Sequence, residues 1–143
     1  MGKPLTLLDA NALIAVICGE PAMEPVLAIL RRGSTAMTTA NIAEVYDKSS
    51  RRAGLSNARL AEVIEPLLEG PITPIPVDVD LARRAGQVRS AHYHRKRRPL
   101  SLADAVLLAA SGPGDEIATS DSGVLAVAAK LGIETIELPT SSD

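Results

Sequence analysis

Short apolar runs alternate with longer, glycine-ended stretches of helical character along the whole chain. Strand-like runs fall at 5–8, 35–38, 72–77, 117–119 and 133–138, and helical stretches fill about 11–18, 22–32, 40–53, 57–69, 79–97, 102–111 and 122–131. Gly19, Gly33, Gly54, Gly70, Gly112 and Gly132 each follow a helical stretch, where a C-terminal cap is expected. Strands separated by helices predict an α/β domain with a mostly parallel, buried sheet. Pro74 and Pro76 cannot donate to a ladder, so the third strand belongs at a sheet edge. Sheets of this kind place their sites beyond the carboxyl ends of the strands.

At 143 residues the chain has the size of one ordinary domain, expected to span 1–143. Hydrophobic residues make up 46%, enough for a core, but Tyr46 and Tyr93 are the only aromatics. Stacking of nucleic-acid bases on aromatic platforms is therefore not an expected binding mode. The single cysteine, Cys18, excludes an intramolecular disulfide framework and a multi-cysteine zinc site, and fits a reducing cytoplasm. No apolar run approaches the roughly 20 residues of a membrane span, so a cytoplasmic protein without a membrane partner is expected. No Gly-x-Gly-x-x-Gly opens a helix and no P-loop is present, which leaves dinucleotide or nucleoside triphosphate use unsupported.

Charge is distributed more tellingly than its net value of −2 suggests. Residues 81–103 contain no acid, but carry Arg83, Arg84, Arg89, Arg95, Lys96, Arg97 and Arg98. A helix C-terminus accounts for some cations there, but seven exceed what a cap requires. The segment suggests a local contact with a polyanion.

Four acids stand alone in uncharged, largely apolar stretches: Asp9, Glu44, Asp104 and Asp121. Each has a capping alternative. Glu44 lies three residues after Asn41 and Asp104 three after Ser101, as in a capping box; Asp9 and Asp121 could be N-caps. Taken together they point elsewhere. Asp9 and Asp121 follow apolar strands, so both belong at the carboxyl edge of the sheet; Glu44 and Asp104 fall in first turns of helices, and Glu44 closely follows a strand, so that edge suits it too. Two unit charges about 5 Å apart repel by about 3 kcal/mol at an effective dielectric near 20. Convergence therefore demands a cation or raised pKa values. Oxygen-only ligands suit Mg²⁺ or Mn²⁺, which can activate water and neutralise a scissile phosphate.

The segments LTLLDANALIA, TTANIAEVYD, RRPLSLADAVLLAAS and IATSDSGVLAVAAKLGI resemble the four signature blocks of PIN-domain nucleases. Their order and spacing are similar to those of the VapC toxins of bacterial toxin–antitoxin pairs. The resemblance covers nearly the whole chain. It implies a three-layer α/β/α sandwich with strand order 3-2-1-4-5, and assigns Asp9, Glu44, Asp104 and Asp121 to Mg²⁺ or Mn²⁺. It gives supporting places to Asn11 and Thr119, and it sets the first and fourth strands at the topological switch point. It further implies an endoribonuclease that leaves a 5′-phosphate and a 3′-hydroxyl, a cognate antitoxin, and a homodimer. Arg84, Arg95, Lys96, Arg97 and Arg98 would then contact RNA. Ser122 and Gly123 follow Asp121 where some members carry a further acid, which counts against a full second metal site.

Two rival readings carry different chemistry. A haloacid-dehalogenase-type phosphatase would use Asp9 as nucleophile, but residue 11 is Asn and not the expected acid. A catalytically silent PIN-like module would bind RNA or a partner without turnover. His92 and His94 lie among cations that would repel a divalent ion, so they read as part of a phosphate-facing helix end and not as ligands. Cys18 reads as a small core residue, and Tyr46 as packing beside the helix of Glu44.

Overall fold

A computed structural model describes residues 3–97 and 99–140. The chain runs β1 (Thr6–Leu8), α1 (Ala10–Cys18), α2 (Met23–Arg32), β2 (Thr35–Thr38), α3 (Thr39–Ala53), α4 (Asn57–Glu69), β3 (Ile72–Ile75), α5 (Val79–His92), α6 (Leu102–Ala110), β4 (Glu116–Thr119), α7 (Ser122–Leu131) and β5 (Glu134–Glu137). The five strands form one sheet in the order β3-β2-β1-β4-β5, and every neighbouring pair is parallel. β3 lies at an edge, as its prolines require, with Pro74 opposite Met37 of β2.

Alternation along the strands divides the core into two layers. Leu8, Met37, Ala118 and Ile72 point to one side, where α1 to α4 contribute Leu13, Ile14, Val26, Val45, Leu60 and Ile64. Leu7 and Ile117 point to the other, against Leu81 and Ala85 of α5, Leu107 and Leu108 of α6, and Val124 and Val127 of α7. Leu7, Leu8 and Ile117 are fully buried, and each such side chain contributes about 1.5–3 kcal/mol by leaving water. The result is the expected three-layer α/β/α sandwich.

The amino ends of the strands are tied by polar side chains. Arg32 Nη2 donates to Thr6 Oγ1 at 3.1 Å and to Glu116 Oε1 at 2.9 Å, and the Leu5 amide donates to Asp115 Oδ1 at 2.8 Å. Asp9, Glu44 and Asp121 all lie beyond the opposite, carboxyl ends, after β1, β2 and β4.

Several local expectations are corrected. α5 stops at His92 instead of continuing to 97, because Tyr93 leaves the helix at φ −70°, ψ 133°. Arg95, Lys96 and Arg97 therefore lie in a turn, and Arg98 lies outside the described residues. Gly19, Gly54 and Gly132 take the left-handed capping conformation, but Gly70 has negative φ and the α6 cap is Ser111, one residue before Gly112. Among the described residues no single helix is long and apolar enough to cross a membrane.

Candidate functional site

Asp9 follows β1 and is 3% exposed. It occupies the N-cap position of α1, but its side chain makes no cap hydrogen bond. Its Oδ2 accepts instead from Thr119 Oγ1 at 2.6 Å, across the β1–β4 pair. The Thr119 hydroxyl also accepts from the Asp121 amide at 3.0 Å. One fully buried threonine thus joins the two aspartates that follow neighbouring strands.

Asp121 and Asp104 each do two things. Asp121 Oδ1 caps α7 by accepting from the Val124 amide at 3.0 Å. Asp104 completes the capping box with Ser101: the Asp104 amide donates to Ser101 Oγ at 3.0 Å and Asp104 Oδ2 accepts from the Ser101 amide at 3.3 Å. The capping alternatives are therefore real for these two residues. They do not account for the charge, because Asp121 also acts on Asp9 and Asp104, and Asp104 is itself raised by burial and by its acidic neighbours.

Burial raises the Asp9 carboxyl above its ordinary 3.8; the Thr119 hydrogen bond opposes this, and the charges of Asp121 and Glu44 add to it. Burial likewise raises Asp104 to about 6, reinforced by the charges of Asp9 and Asp121 and opposed by the two Ser101 hydrogen bonds. Asp9 thus feels the charges of Asp121 and Glu44, and Asp104 those of Asp9 and Asp121. All four acids expected from the sequence belong to one electrostatic group.

Glu44 is placed differently from the capping-box alternative. The N-cap of α3 is Thr38, whose hydroxyl accepts from the Asn41 amide at 3.1 Å. Glu44 consequently lies in the second turn of the helix, not the first. Asn41 Nδ2 donates to Glu44 Oε1 at 3.4 Å, and Lys48 Nζ lies 3.3 Å from Glu44 Oε2. Thr38 and Asn41, both fully buried, are positioning residues missed at the sequence level. The three-residue spacing of Asn41 and Glu44, read as a capping box, was the available signal.

The donor chemistry suits a hard divalent cation. All four acids offer carboxylate oxygen only, and protein hydrogen bonds occupy one oxygen each on Asp9, Asp104 and Asp121. Among the described residues, no three His, Cys, Asp or Glu side chains are gathered closely enough to enclose an ion. The acids thus share a field rather than a preformed shell.

The basic turn adjoins this acidic edge. Arg89 Nε donates to the Leu100 carbonyl at 2.7 Å, and its guanidinium lies 4.3 Å from the centre of the Tyr93 ring. His94 Nδ1 then accepts from the amides of Lys96 at 3.3 Å and Arg97 at 3.0 Å, so His94 shapes the turn. Arg97 lines a cleft of about 350 Å³ together with Pro99, Asp121 and Gly123. Arg84 is occupied elsewhere: its Nε lies 3.0 Å from Asp80 Oδ2 and its Nη1 donates to the Ala109 carbonyl. It joins α5 to the end of α6, apart from the turn that meets Asp121.

Asn11 stands at the start of α1 with its Oδ1 buried and without a hydrogen-bond partner. It lines a second cleft, on the α1 side of Ser120.

The fold has close structural counterparts. DNA-bound VapBC from Salmonella typhimurium superposes with a TM-score of 0.69 at 19% identity, covering 94% of this chain and 98% of that one. FitAcB from Neisseria gonorrhoeae gives 0.61 at 23% identity, covering 93% and 97%. Mycobacterium tuberculosis VapC20, described as a sarcin-ricin loop cleaving toxin, gives 0.60 at 17% identity, covering 94% and 89%. At these identities the likeness concerns the fold. No curated protein sequence matches significantly. The PIN domain family model, however, matches residues 6–136. That span runs from the first residue of β1 into β5 and includes every acid of the carboxyl edge: the chain belongs to the PIN domain family.

Proposed function

We propose that the chain is a metal-dependent endoribonuclease, the toxin of a toxin–antitoxin pair. The observation that carries this reading is the gathering of buried and part-buried acids at the carboxyl edge, where Thr119 ties Asp9 to Asp121 and where burial first, and then the charges of Asp9 and Asp121, raise the Asp104 carboxyl to about 6. Such a cluster is costly without a cation and chemically useful with one. Family membership and the VapC-like fold support the same reading.

Asp9, Asp104, Asp121 and Glu44 would hold Mg²⁺ or Mn²⁺. A divalent ion there supplies activated water and neutralises phosphate charge. Thr119 fixes the Asp9 carboxylate and the Asp121 backbone, while Asn41 orients Glu44. Lys48 offsets the Glu44 charge until a ligand competes for it. Arg95, Lys96 and Arg97 hold RNA phosphates beside Asp121, with the adjacent Arg98 as a further candidate in sequence; Arg84 contributes only by anchoring α5. A cognate antitoxin completes the proposed biology, in line with the VapBC and FitAB assemblies that share the fold; a homodimer is proposed on the family resemblance alone.

The experiment is cleavage of a structured RNA pool by purified, antitoxin-free protein in Mg²⁺, with EDTA and Asp104→Asn as controls. Loss of cleavage in both controls is the expected result. Cleavage that survives EDTA overturns the metal-dependent reading. Calorimetric titration with Mn²⁺ gives a readout independent of turnover: wild type binds, and Asp104→Asn binds at least tenfold more weakly.

A further inference from the structure

The cleft on the α1 side of the acidic edge has a volume of about 350 Å³, within the range of small-ligand sites. Asn11 and Ser120 connect it to the acids, being two residues beyond Asp9 and one before Asp121. Pro21 and Pro139 contribute flat apolar surface. In the lining, Arg52 Nη1 lies 3.4 Å from Glu20 Oε2, with both side chains partly exposed. A long surface pair of this kind contributes little and can part for a guest at small cost.

These polar groups have a definite chemical pattern. Glu20 accepts only, Arg52 donates only, and the buried Asn11 Oδ1 lacks any donor. A buried acceptor without a partner marks the place of a missing hydrogen bond. Guanine presents the complement: N1–H and N2–H₂ as adjacent donors on one edge, O6 and N7 as adjacent acceptors on the other. A carboxylate can accept from the first pair while a guanidinium donates to the second. Adenine sets an acceptor beside its donor, and uracil flanks its one donor with two carbonyls. Cytosine offers arginine its N3 and O2 acceptors but gives a carboxylate only the single amine, with no second N–H beside it. Unstacked bases in single-stranded RNA expose both edges for such reading.

We propose that the cleft lined by Asn11, Glu20, Arg52 and Ser120 is a guanine subsite, holding the base of a nucleotide next to the scissile phosphate. The proposal rests on the ribonuclease reading for its biological meaning, but the cleft can be probed without turnover.

The test titrates ¹⁵N-labelled protein with the 5′-monophosphates of guanosine, adenosine, cytidine and uridine. Guanosine monophosphate is expected to bind roughly tenfold tighter than the others, because one good bidentate pair discriminates by that order. It should shift the Asn11 side-chain amide and the Arg52 Nε signal. Glu20→Gln should erase the preference. On a randomised single-stranded RNA, cleavage by wild type should show guanine at one fixed position beside the cut, and cleavage by Glu20→Gln should not. Equal binding of the four nucleotides, or a preference that persists in Glu20→Gln, overturns the subsite. Shifts produced by an arginine-rich peptide and not by guanosine monophosphate also overturn it, in favour of a protein-docking groove. Guanine-selective binding without cleavage of any RNA keeps the subsite and sinks the ribonuclease reading; cleavage without base preference does the reverse.

Discussion

Thr119 Oγ1 donates to Asp9 Oδ2 at 2.6 Å while accepting from the Asp121 amide at 3.0 Å. The hydroxyl thus has one proton and one direction in which to give it. It stabilises the charged form of Asp9 against the burial that raises its pKa.

Thr119→Val removes that donor and leaves the part-buried Asp121 amide without its hydroxyl partner. The expected cost is about 1–3 kcal/mol in unfolding free energy, measured by urea titration. Metal binding in the variant should require a higher pH, because Asp9 is harder to ionise. Thr119→Ser keeps the hydroxyl and should restore the pH profile. A valine variant with an unchanged profile would remove Thr119 from the site.

Asp104 carries the pH prediction. Its folded pKa of about 6 lies above the ordinary 3.8, so the folded chain holds this proton more tightly than the unfolded chain. The associated stability is full below pH 3.8 and is lost as pH rises through 6. Metal-free Asp104→Asn escapes that loss while keeping an acceptor for the Ser101 amide. It should be more stable than wild type at pH 7.5, by on the order of 1 kcal/mol given partial solvent screening. The difference should vanish near pH 4. Mg²⁺ should then stabilise wild type and not the variant. Thermal melts across pH, with and without Mg²⁺, test all three points, and full RNA cleavage by the variant would sink the site assignment.

The basic turn predicts an ionic-strength signature. Arg97→Ala should lower the slope of log affinity against log salt by about 1, with weakening that is uniform across RNA sequences. Arg84→Ala should leave the slope unchanged and act on stability alone, because Arg84 is tied to Asp80 and the Ala109 carbonyl. His94→Ala should weaken RNA binding by releasing the Lys96 and Arg97 amides. His94→Asn, which retains an acceptor, should recover part of it. Filter binding from 50 to 200 mM salt separates these cases.

Periodicity and punctuation made the layered architecture legible, because apolar strands and glycine-capped helices are local consequences of burial and backbone sterics. Pro74 placed β3 at the edge for the same reason. The end of α5 was not legible. His92 to Arg97 contains no proline or glycine, and the helix ends where the Arg89–Tyr93 contact and the His94 turn form, which are tertiary facts. The four acids were visible as isolated charges in apolar segments. Their second duties were only partly visible: Ser101 signalled the Asp104 capping box by spacing, whereas TTAN offers several N-cap candidates before Glu44. Packing selects Thr38 and turns Asn41 into the support for Glu44.

Gly123 sits close against Asp121, and its tolerance to substitution is a sharp test of how Asp121 is held. It is the second residue of α7, where alanine would ordinarily be favoured by up to about 1 kcal/mol. A Cβ at this position, however, would lie 3.0 Å from the Pro99 carbonyl oxygen and 3.1 Å from Asp121 Oδ1. The carbonyl belongs to backbone and yields little; the Asp121 carboxylate can rotate, at the expense of its bond to the Val124 amide. Gly123→Ala should therefore leave overall stability within about 1 kcal/mol of wild type, propensity offsetting the lost cap. Mn²⁺ affinity and RNA cleavage should nevertheless fall at least tenfold. Calorimetry and a melting curve on the same sample separate the two effects. An alanine variant with native metal affinity would show that the Asp121 orientation is not set by the contact with Gly123.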